Sequence, residues 1–268
     1  MINIRTALGK SPDLETEILL CHVLNKTRVY LFAHPEQLLS QSQWEMFQNL
    51  LAQRAQGIPV AYLIGEREFW SLNLKVNQHT LIPRHETERL VELALELIPN
   101  QPDIHVLELG TGSGAIALAL AKERPHWNIV AADIIQEALS IAKLNAQNHK
   151  IQNVSFYLSN WFDNIPQHPY HALVANPPYI SEHDPHLYQG DLRFEPRNAL
   201  VSSQDGLGDL QCIIKQGYEY LLPGGLILLE HGYDQKLQVQ TILNELQYKN
   251  VTCWQDIQGN DRVSGGWR

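Results

Sequence analysis

The sequence has few cysteines and no long apolar run. Its 3 cysteines, Cys21, Cys212 and Cys253, stand far apart, and its 12 histidines show no repeated spacing. A disulfide framework and a zinc site are therefore not expected, and we predict no bound metal. No apolar run approaches the roughly 20 residues that a membrane-spanning helix requires. Because the first residues also lack a signal-peptide pattern, we expect a cytoplasmic protein with no membrane partner.

Positive charge is scarce as well. The 20 Lys+Arg face 29 Asp+Glu, which gives a formal net charge of -9. A protein that mainly neutralises phosphate groups is usually basic, so we expect no direct nucleic-acid partner, although a net value does not exclude a local basic patch. The length of 268 residues allows one large domain, or a medium domain with a smaller one.

The first quarter of the chain has helical periodicity. Ser11-Pro12 resembles a helix start, because proline is favoured in the first turn. Apolar residues then recur at helical spacing at Leu14, Ile18, Cys21 and Leu24. Ser42 to Glu45 matches a capping box and predicts a second helix that ends near Gly57. We interpret residues 1–66 as a small helical domain of the kind that an enzyme uses to recognise a macromolecular substrate.

The rest of the chain has two patterns. The first alternates apolar and polar residues within a strand, and the second alternates whole strands with helices. Residues 67–85 alternate apolar and polar side chains and predict a β-hairpin linker. Residues 86–268 begin with a helix and then alternate strands with helices, as in a sheet of right-handed crossovers. We therefore predict an α/β, doubly wound domain. The stretch 180–204 shows no periodicity, and loops of that length are usually functional.

Three predicted strands end in residues suited to a nucleoside. The first is followed by Glu108-Leu109-Gly110-Thr111-Gly112-Ser113-Gly114, where glycines allow a tight turn and close approach of a ligand to backbone N–H groups. The second ends at Asp133, which can accept bonds from both ribose hydroxyls or cap a helix. Asn160 and Trp161 follow the third, an amide suited to an adenine edge and an indole suited to its ring or to the core.

The fourth strand of this domain is followed by Asn176-Pro177-Pro178-Tyr179. Prolines lack N–H groups and keep the preceding residue extended, so the Asn176 side-chain oxygen and the Pro177 carbonyl form a rigid pair of acceptors, unless the motif is only a turn. In a doubly wound sheet this segment faces the glycine loop across the switch point. An NH2 acceptor site beside adenosine indicates methyl transfer from S-adenosylmethionine, with S-adenosylhomocysteine as product. An acidic Glu108 would suit the cationic sulfonium.

These motifs resemble the release-factor glutamine methyltransferases, which modify the glutamine of the Gly-Gly-Gln motif in bacterial-type peptide chain release factors. The resemblance covers nearly the whole chain and includes Gly57 to Tyr62, Phe69-Trp70, Leu81 to Arg84, Phe194 to Arg197 and Leu229 to Gly232. It implies a mostly parallel, seven-stranded class I methyltransferase sheet with release factors as substrates, and we expect a monomer.

The resemblance also implies roles for individual residues. Cofactor contacts are implied for Gly110, Thr111, Gly112, Ser113, Gly114, Asp133, Trp161 and Asn176. Asn176, Pro177, Pro178 and Tyr179 would form the glutamine pocket. Our hypothesis for catalysis is that Asn176 and Pro177 accept the two amide hydrogens while Tyr179 packs against the amide plane, which is catalysis by positioning.

The chain departs from the family pattern at three places. The family usually has proline where His85 stands, aspartate where Asn160 stands, and a glycine-rich run near Ser202-Ser203. As a neutral amide, Asn160 must orient its oxygen towards the adenine amino group to keep the predicted contact.

Two other functions remain open from the residues alone. An adenine amino-group methyltransferase acting on DNA or RNA would use the same tetrapeptide, but it must flip a base and bind a phosphate backbone. A non-catalytic module would keep the cofactor fold only to contact a partner. A dehydrogenase would not explain Asn176 to Tyr179.

Overall fold

The computed structural model describes residues 2–268, which form two compact units. The first comprises the chain up to Glu66 together with Tyr188–Phe194, and the second comprises Arg67–Leu187 together with Glu195–Arg268. Within residues 2–268, every helix is too short or too polar to span a lipid bilayer.

The first unit consists of five helices around a small apolar core. They are α1 (Ile4–Leu8), α2 (Leu14–Leu24), α3 (Arg28–Ala33), α4 (Gln41–Ala55) and α5 (Val60–Ile64). Fully buried Ile4, Leu19 and Phe47 lie at its centre. The helices α1, α3 and α5 have 5, 6 and 5 residues, which is too short to give a periodic signal, and the sequence did not predict them.

The predicted caps of the two longer helices were wrong by two residues. Asp13, not Ser11, caps α2, because its carboxylate accepts a bond of 2.7 Å from the N–H of Thr16. Ser40, not Ser42, caps α4 and forms a reciprocal capping box with Gln43. The same Ser-x-x-Gln/Glu pattern occurs twice in succession, and the first occurrence is the one whose side chains reach both orphan N–H groups.

The second unit begins with a hairpin that is followed by a seven-stranded sheet. The hairpin strands are β1 (Glu66–Phe69) and β2 (Leu72–Lys75), and α6 (Glu88–Leu97) follows. The first half of the sheet is built from β3 (His105–Leu109), α7 (Ala115–Glu123), β4 (Asn128–Asp133), α8 (Gln136–Asn148), β5 (Val154–Leu158) and β6 (Tyr170–Ala175).

The long loop after β6 contains more structure than the sequence predicted. Two residues of β7 (Ile180–Ser181) pair in parallel with two of β8 (Val201–Ser202), and 3₁₀ turns lie between them. Such short strands carry no alternation that a sequence reading can detect. The chain continues through α9 (Ser203–Gly206), α10 (Gly208–Tyr220), β9 (Leu221–Glu230), α11 (Lys236–Glu245), β10 (Lys249–Gln255) and β11 (Asp261–Trp267).

The strand order β10-β11-β9-β6-β3-β4-β5 confirms the predicted class I methyltransferase sheet. All pairs among β9, β6, β3, β4 and β5 are parallel, and β11 joins both of its neighbours antiparallel. Consecutive residues of β3, such as Val106 and Leu107, belong to separate buried clusters. The sheet is therefore covered on both faces, as parallel sheets are, and its polar site lies where β3, β4 and β6 end.

Candidate active site

The turn from β3 into α7 depends on glycines. Gly110, Gly112 and Gly114 have φ of 74°, 55° and 86°, values that favour glycine. A Cβ at Gly114 would also lie 3.1 Å from Leu118 Cδ1 and 3.2 Å from Ala142 Cβ. The loop can therefore bring its backbone close to a ligand, while Gly114 packs α7 against α8.

Asp133 connects the ends of β3 and β4. Its Oδ2 accepts a bond of 2.8 Å from the N–H of Gly112, and its Oδ1 accepts one of 2.9 Å from the N–H of Ile135. Burial raises the pKa of Asp133 despite these bonds. Each carboxylate oxygen keeps a further lone pair, so bonding to ribose hydroxyls stays a prediction that this arrangement permits.

Glu108 is a fully buried carboxyl with one oxygen unpaired. Its Oε2 accepts bonds from the Thr111 hydroxyl at 2.6 Å and the Ala117 N–H at 3.1 Å. Its Oε1 has no hydrogen-bond partner among residues 2–268. Burial raises the pKa of Glu108 to about 8. A cationic ligand group beside the orphan oxygen would favour the ionised form of this carboxyl, so the position is suited to a cation.

Two adjoining cavities make one crevice along the carboxyl ends of the strands. The first is lined by Asp133, Asn160, Trp161 and Pro178, among other residues. The second is lined by Glu108, Thr111, Ser113, Arg84 and Thr87, among other residues. Leu81, Gly110, Gly112 and Asn176 line both cavities. The structure thus brings most of the predicted site residues to one crevice, with exposed Asn160 at its surface.

Trp161 covers the glycine loop. Its ring lies 3.7 Å from the position of a Cβ on Gly110, and its indole N–H donates to Asp209 Oδ1 at 3.1 Å. Trp161 has φ of 48°, which is unusual for an aromatic residue, so the surroundings must hold it there. Asp209 also lines the first cavity, and no sequence motif had identified it.

Asn176 forms the opposite wall, at the end of β6. Its Nδ2 donates to the Thr87 hydroxyl at 3.2 Å, which leaves its Oδ1 available as an acceptor. The backbone carbonyl of Asn176 lies 3.9 Å from the position of a Cβ on Gly110. Asn176 and the glycine loop therefore face each other, as the topology predicted.

Tyr179 is not among the residues that line the two cavities. Its hydroxyl donates to Glu230 Oε1 at 3.4 Å, and its carbonyl accepts from Gln235 Nε2 at 3.0 Å. A Cβ on Gly206 would lie 2.2 Å from the same carbonyl oxygen. These contacts fix the turn that carries Asn176. Its predicted packing against a substrate amide stays a prediction.

Sequence reasoning missed two residues that contact Asn176 and Tyr179, namely Thr87 and Glu230. Glu230 belongs to the Leu229 to Gly232 motif, but nothing in that motif indicated a role. Thr87, only 4% exposed, lies in the 3₁₀ turn before α6 and belongs to no motif. Only the three-dimensional structure brings them to Asn176 and Tyr179.

An ion pair between buried Glu195 and half-buried Arg84 links two further motifs of the resemblance. Glu195 accepts a bond of 3.0 Å from the N–H of Ile82 and pairs with the Arg84 guanidinium. The pair joins the Leu81 to Arg84 segment to the end of the long loop. Both segments contribute to the crevice, through Leu81 and Asn198.

The crevice fits S-adenosylmethionine. Its first part has a carboxylate and an indole for an adenosine, and its second part has the orphan Oε1 of Glu108 for a cationic group. Asp133 and Trp161 would hold the nucleoside, and Glu108 would face the positively charged end of the molecule.

Comparisons with known proteins identify methyltransferases as similar proteins. A model of the PrmC N-terminal domain matches residues 4–65, and a methyltransferase domain model matches residues 100–265. The release factor glutamine methyltransferase of Shewanella oneidensis is 49% identical over 260 residues, which are 97% of this chain and 91% of that protein. The protein of the same name from Escherichia coli K12 is 46% identical over 258 residues, or 96% and 93% of the two chains.

A solved structure shows the shared fold. The methyltransferase from Pyrococcus furiosus superimposes over 82% of this chain and 98% of its own, with a TM-score of 0.56 at 16% identity.

Proposed function

Because this chain belongs to the release factor glutamine methyltransferase family, we propose that it methylates the side-chain amide nitrogen of the glutamine in the Gly-Gly-Gln motif of peptide chain release factors. The modification would support translation termination. The methyl donor is S-adenosylmethionine, and S-adenosylhomocysteine is the product. The release factor is the protein substrate, and neither nucleic acid nor a membrane takes part.

The observation that carries the proposal is the position of Asn176. It lies on the wall shared by the two cavities, opposite the glycine loop. Its Nδ2 is bonded to Thr87, so its Oδ1 can accept a hydrogen from a planar NH2 group. The carbonyl of Pro177 lies between two prolines, neither of which has an N–H group, and it would accept the second hydrogen.

The bound cofactor supplies an electrophilic methyl group on a cationic sulfur. An amide nitrogen is a weak nucleophile, because its lone pair is delocalised into the carbonyl. Asn176 and Pro177 would hold this nitrogen in line with the methyl group and stabilise the positive charge that develops on it. Tyr179 would support the amide plane. The sulfur would keep the electron pair of the broken methyl–sulfur bond, and the methylated nitrogen would release one of its two protons to water. This is catalysis by orientation and preorganised dipoles, and it requires no strong base.

Substrate choice would come from the helical unit and from the long loop after β6. The helical unit would recognise the body of the release factor, and the stretch 180–204 would accommodate the Gly-Gly-Gln tip. An adenine methyltransferase would need contacts to a phosphate backbone, and the net charge of -9 does not favour that substrate.

The experiment is an incubation with labelled cofactor and three acceptors. They are a purified release factor, the same factor with alanine in place of the Gly-Gly-Gln glutamine, and duplex DNA. We expect label on the first acceptor only. Label on DNA, or equal label on the alanine variant, would contradict the proposal. Asn73→Ala, at an exposed position of β2, serves as an enzyme control with unchanged activity.

A further inference from the structure

Asp209 lies in the first turn of α10 and lines the first cavity. Its Oδ1 accepts a bond of 3.1 Å from the indole N–H of Trp161. Its own backbone N–H donates to the Ser202 hydroxyl at 2.9 Å. These two bonds fix the carboxylate at the edge of the indole ring.

Trp161 is held at its backbone as well as at its ring. The Ser159 hydroxyl donates to the Trp161 carbonyl at 2.8 Å and accepts from the N–H of Asn164 at 2.9 Å. Because the indole nitrogen is bonded to a carboxylate, the ring cannot turn without losing a charge-assisted hydrogen bond. The cavity therefore contains an aromatic ring in a fixed orientation, with a carboxylate at its edge.

The Asp209 carboxylate can bind a second donor. An ionised carboxylate has about four acceptor positions on its two oxygens and no hydrogen to donate. The indole N–H uses one of these positions. A ligand that lies against the indole would therefore meet a free acceptor position at the edge of the ring.

Adenine matches this arrangement. Its planar ring stacks on aromatic side chains, and its exocyclic amino group lies at the ring edge and donates hydrogen bonds. Stacking on Trp161 would bring this edge towards Asp209. Asn160 is a weaker candidate for the same contact, because it is exposed and its neutral amide can turn either end to a ligand.

We propose that Asp209 determines the specificity of the crevice for an adenine base. One of its oxygens orients the Trp161 indole, and the other accepts a hydrogen bond from the adenine amino group. Asp133 would bind the ribose of the same nucleoside. The inference deepens the proposed function and rests on it for the identity of the methyl donor.

Two ligands test the inference by calorimetry, without any methyl acceptor. They are S-adenosylhomocysteine and S-inosylhomocysteine, in which a carbonyl replaces the adenine amino group. A carbonyl cannot donate to a carboxylate, so the wild type should bind the inosyl ligand about 10-fold to 100-fold more weakly. Asp209→Ala should reduce the ratio of the two Kd values about 10-fold. An unchanged ratio would overturn the inference.

Asp209→Asn should produce a gain of binding, which general damage to the fold cannot produce. The amide oxygen can keep the bond to the indole, and the amide NH2 group then takes the place of the second carboxylate oxygen. This donor would oppose the adenine amino group but would bond to the inosyl carbonyl. We expect the variant to bind S-inosylhomocysteine about 10-fold more tightly than the wild type does. A variant that keeps the wild-type preference would overturn the inference.

Trp161→Phe separates direct contact with the base from orientation of the indole. The phenyl ring still stacks but has no N–H group, and Asp209 is unchanged. This variant should keep most of the preference for S-adenosylhomocysteine. If it lost the preference as fully as Asp209→Ala does, Asp209 would act only through the indole, and the direct contact would be contradicted.

Two further variants complete the comparison. Asn160→Ala should keep the preference, and a loss of preference there with none in the Asp209 variants would assign the base contact to Asn160 and overturn the inference. Glu245→Ala, exposed at the end of α11, makes the same change in charge as Asp209→Ala. It is the control and should bind both ligands as the wild type does.

Failure of this inference and failure of the proposed function give different results. A wild type with the expected ligand preference that methylated no release factor would refute the proposed function and leave the role of Asp209 standing. A wild type that methylated the release factor, with Asp209 variants that kept its ligand preference, would refute the role of Asp209 alone.

Discussion

The two walls of the crevice are built in different ways. On the cofactor wall, formed by the glycine loop and Asp133, carboxylates accept from backbone N–H groups such as that of Gly112. Asn176 and Thr87 line the acceptor wall, and Tyr179 and Glu230 support it from outside the cavity lining. Here side chains bond to side chains that are 89 and 51 residues apart in sequence. Backbone donors stay in place when a side chain changes. The acceptor wall should therefore lose its function through single substitutions that leave the cofactor wall intact.

The largest effect should come from Asn176→Ala, which removes the proposed acceptor of the amide hydrogen. We expect kcat to fall about 100-fold or more, because the dipole that orients the nitrogen is lost. Cofactor affinity should change little, which steady-state kinetics and calorimetry with S-adenosylhomocysteine can show. If Asn176→Ala turned over as fast as the control Asn73→Ala, the claim that single substitutions disable the acceptor wall would be contradicted.

Asp133→Ala should have the opposite signature. Loss of a charged acceptor for the ribose should weaken cofactor binding about 10-fold to 100-fold, with kcat recovering at saturating cofactor. Calorimetric titration checks the affinity, and Asp163→Ala, at an exposed position, is the control. An unchanged Kd would show that Asp133 serves only the backbone bonds to Gly112 and Ile135.

Gly114→Ala tests the packing below the cofactor wall. A side chain there meets both the positive φ of 86° and the contacts of 3.1–3.2 Å to Leu118 and Ala142. We expect the free energy of unfolding to fall by about 1–3 kcal/mol, measured by denaturant titration. Gly259→Ala shares the positive φ of 83° but has no atom within 4 Å, so it should cost less. Equal losses would contradict the packing role.

A separate effect should be a pH-dependent shift in stability from Glu108→Gln. The folded-state pKa of Glu108 is raised from 4.5 to about 8. Between these values the folded protein holds a proton that the unfolded chain has lost, so wild-type stability falls as the pH rises through this window. The Tm of the variant relative to wild type should therefore increase from about pH 5 to about pH 8. A constant difference would contradict a buried, proton-holding Glu108.

Features that depend on nearby residues in the sequence were predictable, whereas features that depend on contacts between residues far apart in the sequence were not. The sheet, the glycine loop and the position of Asn176 follow from local patterns and from the connection rules of parallel sheets. The helix caps at Asp13 and Ser40 required a choice between near-equal candidates only two residues apart, and the prediction chose wrongly.

The acceptor wall was only partly predictable. The motif with two prolines identifies Asn176 in the sequence. Thr87 and Glu230 belong to no such motif, and their contacts with Asn176 and Tyr179 depend on how α6 and β9 pack. A threonine in a short turn has no spacing that signals its contact with Asn176. The assignment of Tyr188–Phe194 to the helical unit likewise depends on contacts with residues far away in sequence.

The most direct test of the account is to locate the transferred methyl group. A release factor incubated with the wild-type enzyme and S-adenosylmethionine would be digested, and its peptides sequenced by tandem mass spectrometry. We predict one methyl group on the side-chain nitrogen of the Gly-Gly-Gln glutamine, and a strongly reduced yield with Asn176→Ala. A methyl group on any other residue, or the same yield from both enzymes, would contradict the account.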